Sequence, residues 1–100
     1  MNMKQKPMHK EVLLKQEYKP LSKEVLLSIK KGDVIERMLG FSIPIYLKVQ
    51  EVTNDIIDCG WTFDRHTGLE IDEYISVTVS YISKVLNEEE KKVVAAKIRD

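Results

Sequence analysis

Cys59, Asp64 and His66 are the residues whose types could do covalent or metal chemistry, as a thiol nucleophile with an imidazole base or as three donors to one metal ion. Their spacing opposes both. Cys59 and His66 stand seven residues apart across a predicted hairpin, so only a particular register would bring them together. A lone cysteine in an alternating apolar run behaves as a small buried hydrophobe. No CxxC, HExxH or glycine-rich phosphate loop occurs, and the second histidine, His9, lies in the N-terminal segment. Asp64 reads as a turn residue whose carboxylate accepts nearby backbone N–H groups, which competes with a general-base role. The chain therefore offers no catalytic residue, no metal-ligand set and no cofactor site, and reads as a non-enzyme.

Recognition chemistry is better represented. Arg37 and Arg65 are the only arginines between residues 32 and 86. Arg65 and its neighbour His66 sit at the predicted hairpin tip as candidate contacts. Arg37 is the third candidate, with an ion pair to a carboxylate as its plainer reading. Trp61, Phe63, Tyr46, Tyr74 and Tyr81 could form a platform for stacking bases. Trp61 and Phe63, however, occupy the apolar phase of an alternating run in an acidic segment, and so read as core.

Those residues need a strand framework. Apolar positions 57, 59, 61 and 63 alternate with Asp58, Gly60 and Thr62, predicting a strand over 56–63 that returns over 69–74. Gly68 supplies the positive φ of the turn between them. Two registers compete. A four-residue loop pairs Asp64 with Leu69 and sets Phe63 beside Glu70; a five-residue loop pairs Phe63 with Leu69 and gathers the apolar side chains. The second is preferred narrowly. Ahead of the hairpin, Val34–Phe41 reads as a strand bent at Gly40, and Ile43, Ile45, Leu47 and Val49 form the strongest alternation in the chain. Val52 falls on the opposite phase from Val49, so a bulge near Gln50–Glu51 is expected to turn both inward. Thr53-Asn54-Asp55 is a turn. Residues 75–86 form a last strand that changes phase through Ile82 and Val85.

The flanks differ from this body. Residues 1–31 form a lysine-rich arm, flexible or partly helical, in which Lys10-Glu11-Val12-Leu13-Leu14 recurs as Lys23-Glu24-Val25-Leu26-Leu27. The second copy fits a helix capped by Ser22 or a strand running into Lys30-Lys31-Gly32-Asp33, and leans to strand. Residues 87–100 predict a helix with Asn87 as N-cap, Glu90 in the capping-box position and a thin apolar stripe. The resulting architecture is mainly β: a small antiparallel SH3-like or partly open barrel over 32–86, with the arm before it and the helix after it.

Gly32-Asp33-Val34-Ile35-x-Arg37-Met38-Leu39, Ile43-Pro44-Ile45-x-Leu47-x-Val49 and Cys59-Gly60-Trp61-x-Phe63-Asp64-Arg65-x-Thr67-Gly68-x-Glu70-Ile71-Asp72 together resemble a family of small, uncharacterised bacterial proteins. The resemblance runs over roughly residues 32–83, with a looser Ser80-Tyr81-Ile82. It implies a compact bacterial domain and carries over no catalytic residue. The two flanks lie outside it.

Charge divides along the chain. Residues 1–31 hold eight lysines against three glutamates, and residues 32–86 hold four basic against nine acidic residues, while the total is zero. The arm either folds back on the acidic body, the preferred reading, or reaches an external anion. No apolar run approaches a membrane span and the N-terminus lacks the apolar stretch of a signal peptide, so no membrane partner and a cytoplasmic location are expected. The single cysteine agrees with a reducing compartment. A binding or adaptor module for an unidentified protein partner, or for a second copy of itself in a homodimer, is the first functional expectation. A nucleic-acid accessory role through the N-terminal arm is the second.

Overall fold

The computed structural model describes residues 21–39, 43–71 and 80–99. Helix α1 comes first, Lys23–Ser28. The Ser22 hydroxyl accepts the Val25 N–H at 3.2 Å and caps it. Leu26 and the C-cap residue Ile29 share one face and are buried in the core, with Leu21 packed against it. The strand expected here is not formed. The Ser22 cap and the three-residue spacing of Leu26 and Ile29 prevail over the β-branched content, so residues 21–31 join the folded body. The arm upstream, with His9, lies outside the described residues.

The larger sheet has the order β6-β1-β2-β7, where β1 is Val34–Leu39, β2 Ile43–Lys48, β6 Ser80–Val85 and β7 Ile98–Arg99. The smaller sheet runs β3-β4-β5, with β3 Glu51–Val52, β4 Ile56–Asp58 and β5 Thr62–Asp64. All pairings are antiparallel except that of β7 with β2. Gly40 and Phe41, the expected bend of the first strand, lie outside the described residues, as do 72–79, including Tyr74.

The expected bulge at Gln50–Glu51 is the corner between the sheets. Asp58 has Glu51 as its ladder partner and also accepts the Gln50 N–H at 2.8 Å, so two residues on one strand oppose one on the other. Val49 is thereby buried and Val52 packs against the core. The phase change late in the chain is a second bulge. Glu36 pairs with Lys84 but Arg37 pairs with Ile82, and the extra residue, Ser83, donates its hydroxyl to the Glu36 carbonyl at 3.1 Å.

Residues 56–63 are not one strand. Gly60 takes φ +94°, Asp58 Oδ1 accepts its N–H at 2.9 Å, and the chain reverses there, so that Ile57 pairs with Phe63. The period-two pattern survives because Ile57, Cys59 and Phe63 reach the core from both sides of that turn. At the far end of β5 the four-residue register is found, not the five-residue one. Asp64 N–H donates to the Leu69 carbonyl at 2.7 Å, Gly68 N–H donates back to Asp64 at 2.8 Å, and Phe63 stands opposite Glu70. The Asp64 carboxylate accepts the His66 and Thr67 N–H groups, as a turn residue should.

Gly68 has φ +78°, and a β-carbon there would stand 3.3 Å from Leu26 Cδ2. Gly68→Ala is expected to lower stability by about 1 kcal/mol or more, chiefly from the left-handed backbone. An unchanged urea midpoint would contradict that turn.

Leu69 and Glu70 stitch the sheets together through the bridges Phe63 to Glu70 and Leu69 to Tyr81. The expected mainly β fold is present, but the described sheets do not close into a barrel, leaving β3 and β7 as edges. Helix α2, Glu88–Val93, has the expected capping box between Asn87 and Glu90. Lys84 on β6 ion-pairs with Glu90 and holds that carboxyl below its ordinary range. The helix stops earlier than its pattern suggests, because the chain makes a 3-10 turn, Ala95–Lys97, and then lays Ile98 beside Tyr46 in the sheet. No α2 residue is buried, and Val93 is 83% exposed. Among the described residues no helix is long and apolar enough to cross a membrane.

Candidate functional site

At the β3 edge, backbone groups of Val52 have no partner among the described residues. Thr53 N–H donates to the Ile56 carbonyl at 3.0 Å, which makes Thr53 and Ile56 a hydrogen-bonded pair. Such pairs alternate along an antiparallel ladder, so the next pair, Val52 with Ile57, is a non-bonded one. The N–H and C=O of Val52 therefore point away from β4, and no hydrogen bond takes them up among the described residues.

Beside this edge lies a cleft of about 530 Å³ between β3 and the segment leaving α1, lined by Ile29, Lys30, Lys31, Glu51, Val52 and Arg65 among others. Arg65 holds its two walls together. Its Nη2 donates to the Leu27 carbonyl at the end of α1 at 2.9 Å, and its Nη1 donates to the Thr53 carbonyl at the β3–β4 turn at 2.8 Å. The planar fork suits this double contact, and a cation is favourable against helix C-terminal carbonyls. Arg65, expected as a loop-tip contact, is a brace whose guanidinium borders the cleft.

A second cleft of about 490 Å³ shares Lys31 and Gln50 with the first and adds Lys48. The fold brings these lysines together: Val34 pairs with Lys48, and Val49 exchanges hydrogen bonds with Gly32 and Asp33. Lys30, Lys31, Lys48 and Arg65 thus stand against one lining carboxylate, Glu51. Asp33 also accepts a hydrogen bond from the Lys30 ammonium at 3.3 Å. One end of a body that is acidic by sequence is locally basic.

The other candidates lie elsewhere. His66 is exposed on the hairpin tip and does not line these clefts. Arg37 is buried: its Nε and Nη2 stand 2.9 and 2.8 Å from Glu70 Oε1, which also accepts the Ser80 hydroxyl at 2.5 Å. Its guanidinium lies 4.4 Å from the Trp61 ring centroid. The plainer reading of Arg37, a carboxylate partner, is the observed one. Phe63 and Tyr81 are buried and Trp61 packs partly against the core.

Cys59 and His66 sit at opposite ends of β5, and among the described residues no three potential metal ligands converge. Burial, and next the charge of Asp58, push the Cys59 thiol up to about 12. At pH 8 the folded chain is expected to react with a thiol reagent roughly three orders of magnitude more slowly than the urea-unfolded chain, since only thiolate attacks. Equal rates would put Cys59 on the surface.

A scan against protein-family models and searches of the curated proteins and of the solved structures find no match. Sequence reasoning missed Val52, Lys31 and Lys48 as a unit. The available signals were the Lys30-Lys31-Gly32-Asp33 turn and the shortness of the segment between the Gln50–Glu51 bulge and the Thr53 turn, which leaves β3 only two residues long.

Proposed function

We propose that this chain is a non-enzymatic binding or adaptor module that takes an extended segment of a protein partner along the β3 edge. The observation that carries this reading is the outward N–H and C=O of Val52, unpaired among the described residues, beside an open cleft, the arrangement that strand addition uses. Main-chain bonding would supply affinity and the cleft would supply selectivity. A bacterial cytoplasmic setting is supported by the resemblance of residues 32–83 to small bacterial proteins and by the buried free thiol.

A photocrosslinking residue at Glu51, whose side chain is exposed, tests the reading in cells against the same residue at His66 and at Lys92. Crosslinking of a protein from position 51 alone is expected. A product of twice the chain's mass would identify the partner as a second copy, making the module a homodimer. Crosslinking from 66 or 92 but never from 51 would overturn the reading.

The lysines around the cleft favour a second reading, a nucleic-acid accessory protein that combines them with the lysine-rich arm. Retention of nucleic acid that falls steeply with salt would put this reading first.

A further inference from the structure

Resting on the β3-edge reading, we infer that the partner segment is acidic: an extended peptide whose carboxylates alternate along the strand and face Lys31 and Lys48, with Lys30 and Arg65 beside them. Side chains of an added strand alternate between the two faces, so every second residue of a peptide on β3 points to the same side. The cleft flanking that edge contributes Lys30, Lys31 and Arg65 against Glu51, and the adjoining cleft, which shares Lys31 and Gln50 with it, adds Lys48. Lys31 and Lys48 are exposed, and neither makes an ion pair among the described residues. Lys30 is shared with Asp33, and the Arg65 fork is engaged by two carbonyls, so these two contribute charge and little new hydrogen bonding. A basic ligand would meet an excess of like charge here. A duplex or single-stranded nucleic acid would meet the same lysines but offers no N–H and C=O ladder to match Val52. That mismatch makes the peptide the better fit.

The test uses the full chain and capped, fluorescently labelled peptides of about ten residues, one alternating threonine with glutamate and one threonine with lysine, read by anisotropy. The glutamate peptide is expected to bind and the lysine peptide not. Binding should weaken about tenfold or more in K31E/K48E, and should also weaken as salt rises from about 50 to 300 mM. Both substitutions are at exposed positions, and an unchanged melting temperature confirms that the variant is folded. Equal binding of the two peptides, or equal binding by K31E/K48E, overturns the acidic partner while a Glu51 crosslink would leave the edge reading standing. No binding of either peptide at millimolar concentration overturns the inference. Binding of a single-stranded oligonucleotide that K31E/K48E abolishes, with no peptide bound, overturns both the inference and the edge reading.

Discussion

Glu70→Leu is expected to remove about 3–5 kcal/mol of folding free energy, because it leaves the Arg37 guanidinium buried without its counter-charge. The Arg37 and Glu70 side chains are 5% and 1% exposed, and one oxygen, Glu70 Oε1, collects both guanidinium contacts and the Ser80 hydroxyl. Against a typical total of about 5–15 kcal/mol for a domain this size, that loss is large. The double variant Arg37→Met/Glu70→Leu is expected to regain most of it, since apolar replacement of a whole buried pair is often neutral or stabilising. Urea unfolding of the two variants measures both effects. A double variant as unstable as Glu70→Leu would show that the two residues do not act as a pair.

Arg65→Ala should cost about 1.5–3 kcal/mol, by removing the two charge-assisted hydrogen bonds with which the guanidinium bridges the Leu27 and Thr53 carbonyls. The loss is local. Hydrogen exchange should rise first in α1 and in the β3–β4 turn, and glutamate-peptide binding should fall with it because the cleft walls are no longer tied. Arg65→Lys is expected to recover only part, since one ammonium on a flexible stem replaces a planar fork. Full recovery by lysine would mean that charge alone mattered, and the bracing geometry would be refuted.

Most of the fold was legible in local patterns. The β2 alternation, the Asn87–Glu90 capping box, the Asp64–Gly68 turn and the inward turn at Gln50–Glu51 all follow from short-range chemistry that the folded chain keeps. The failures came where a distant residue decides. The five-residue hairpin register gathers the apolar side chains, whereas the observed one sets Phe63 opposite Glu70. Glu70 is buried against Arg37, 33 residues away in sequence, and a slip of one residue would take it off that face. The turn at Gly60 was hidden for a different reason. Its Asp58-x-Gly60 signal was present, but apolar residues reach the core from both sides of the reversal and so mimic one continuous strand.

The site was less legible than the fold. Arg65 reads from the sequence as a loop-tip contact, yet its partners, Leu27 and Thr53, are backbone carbonyls that no side-chain pattern announces. The lysines gather only because β1 pairs with β2 and because the chain crosses between sheets after Val49.

Amide hydrogen exchange at Val52, followed by NMR with and without saturating threonine–glutamate peptide, tests the central claim most directly. In the free chain the Val52 N–H has no acceptor among the described residues and should exchange fast. With peptide bound, that amide is expected to become protected while His66 at the hairpin tip stays unchanged. Protection that appears at the tip or on α2, with Val52 exchanging as fast as before, would contradict strand addition at β3.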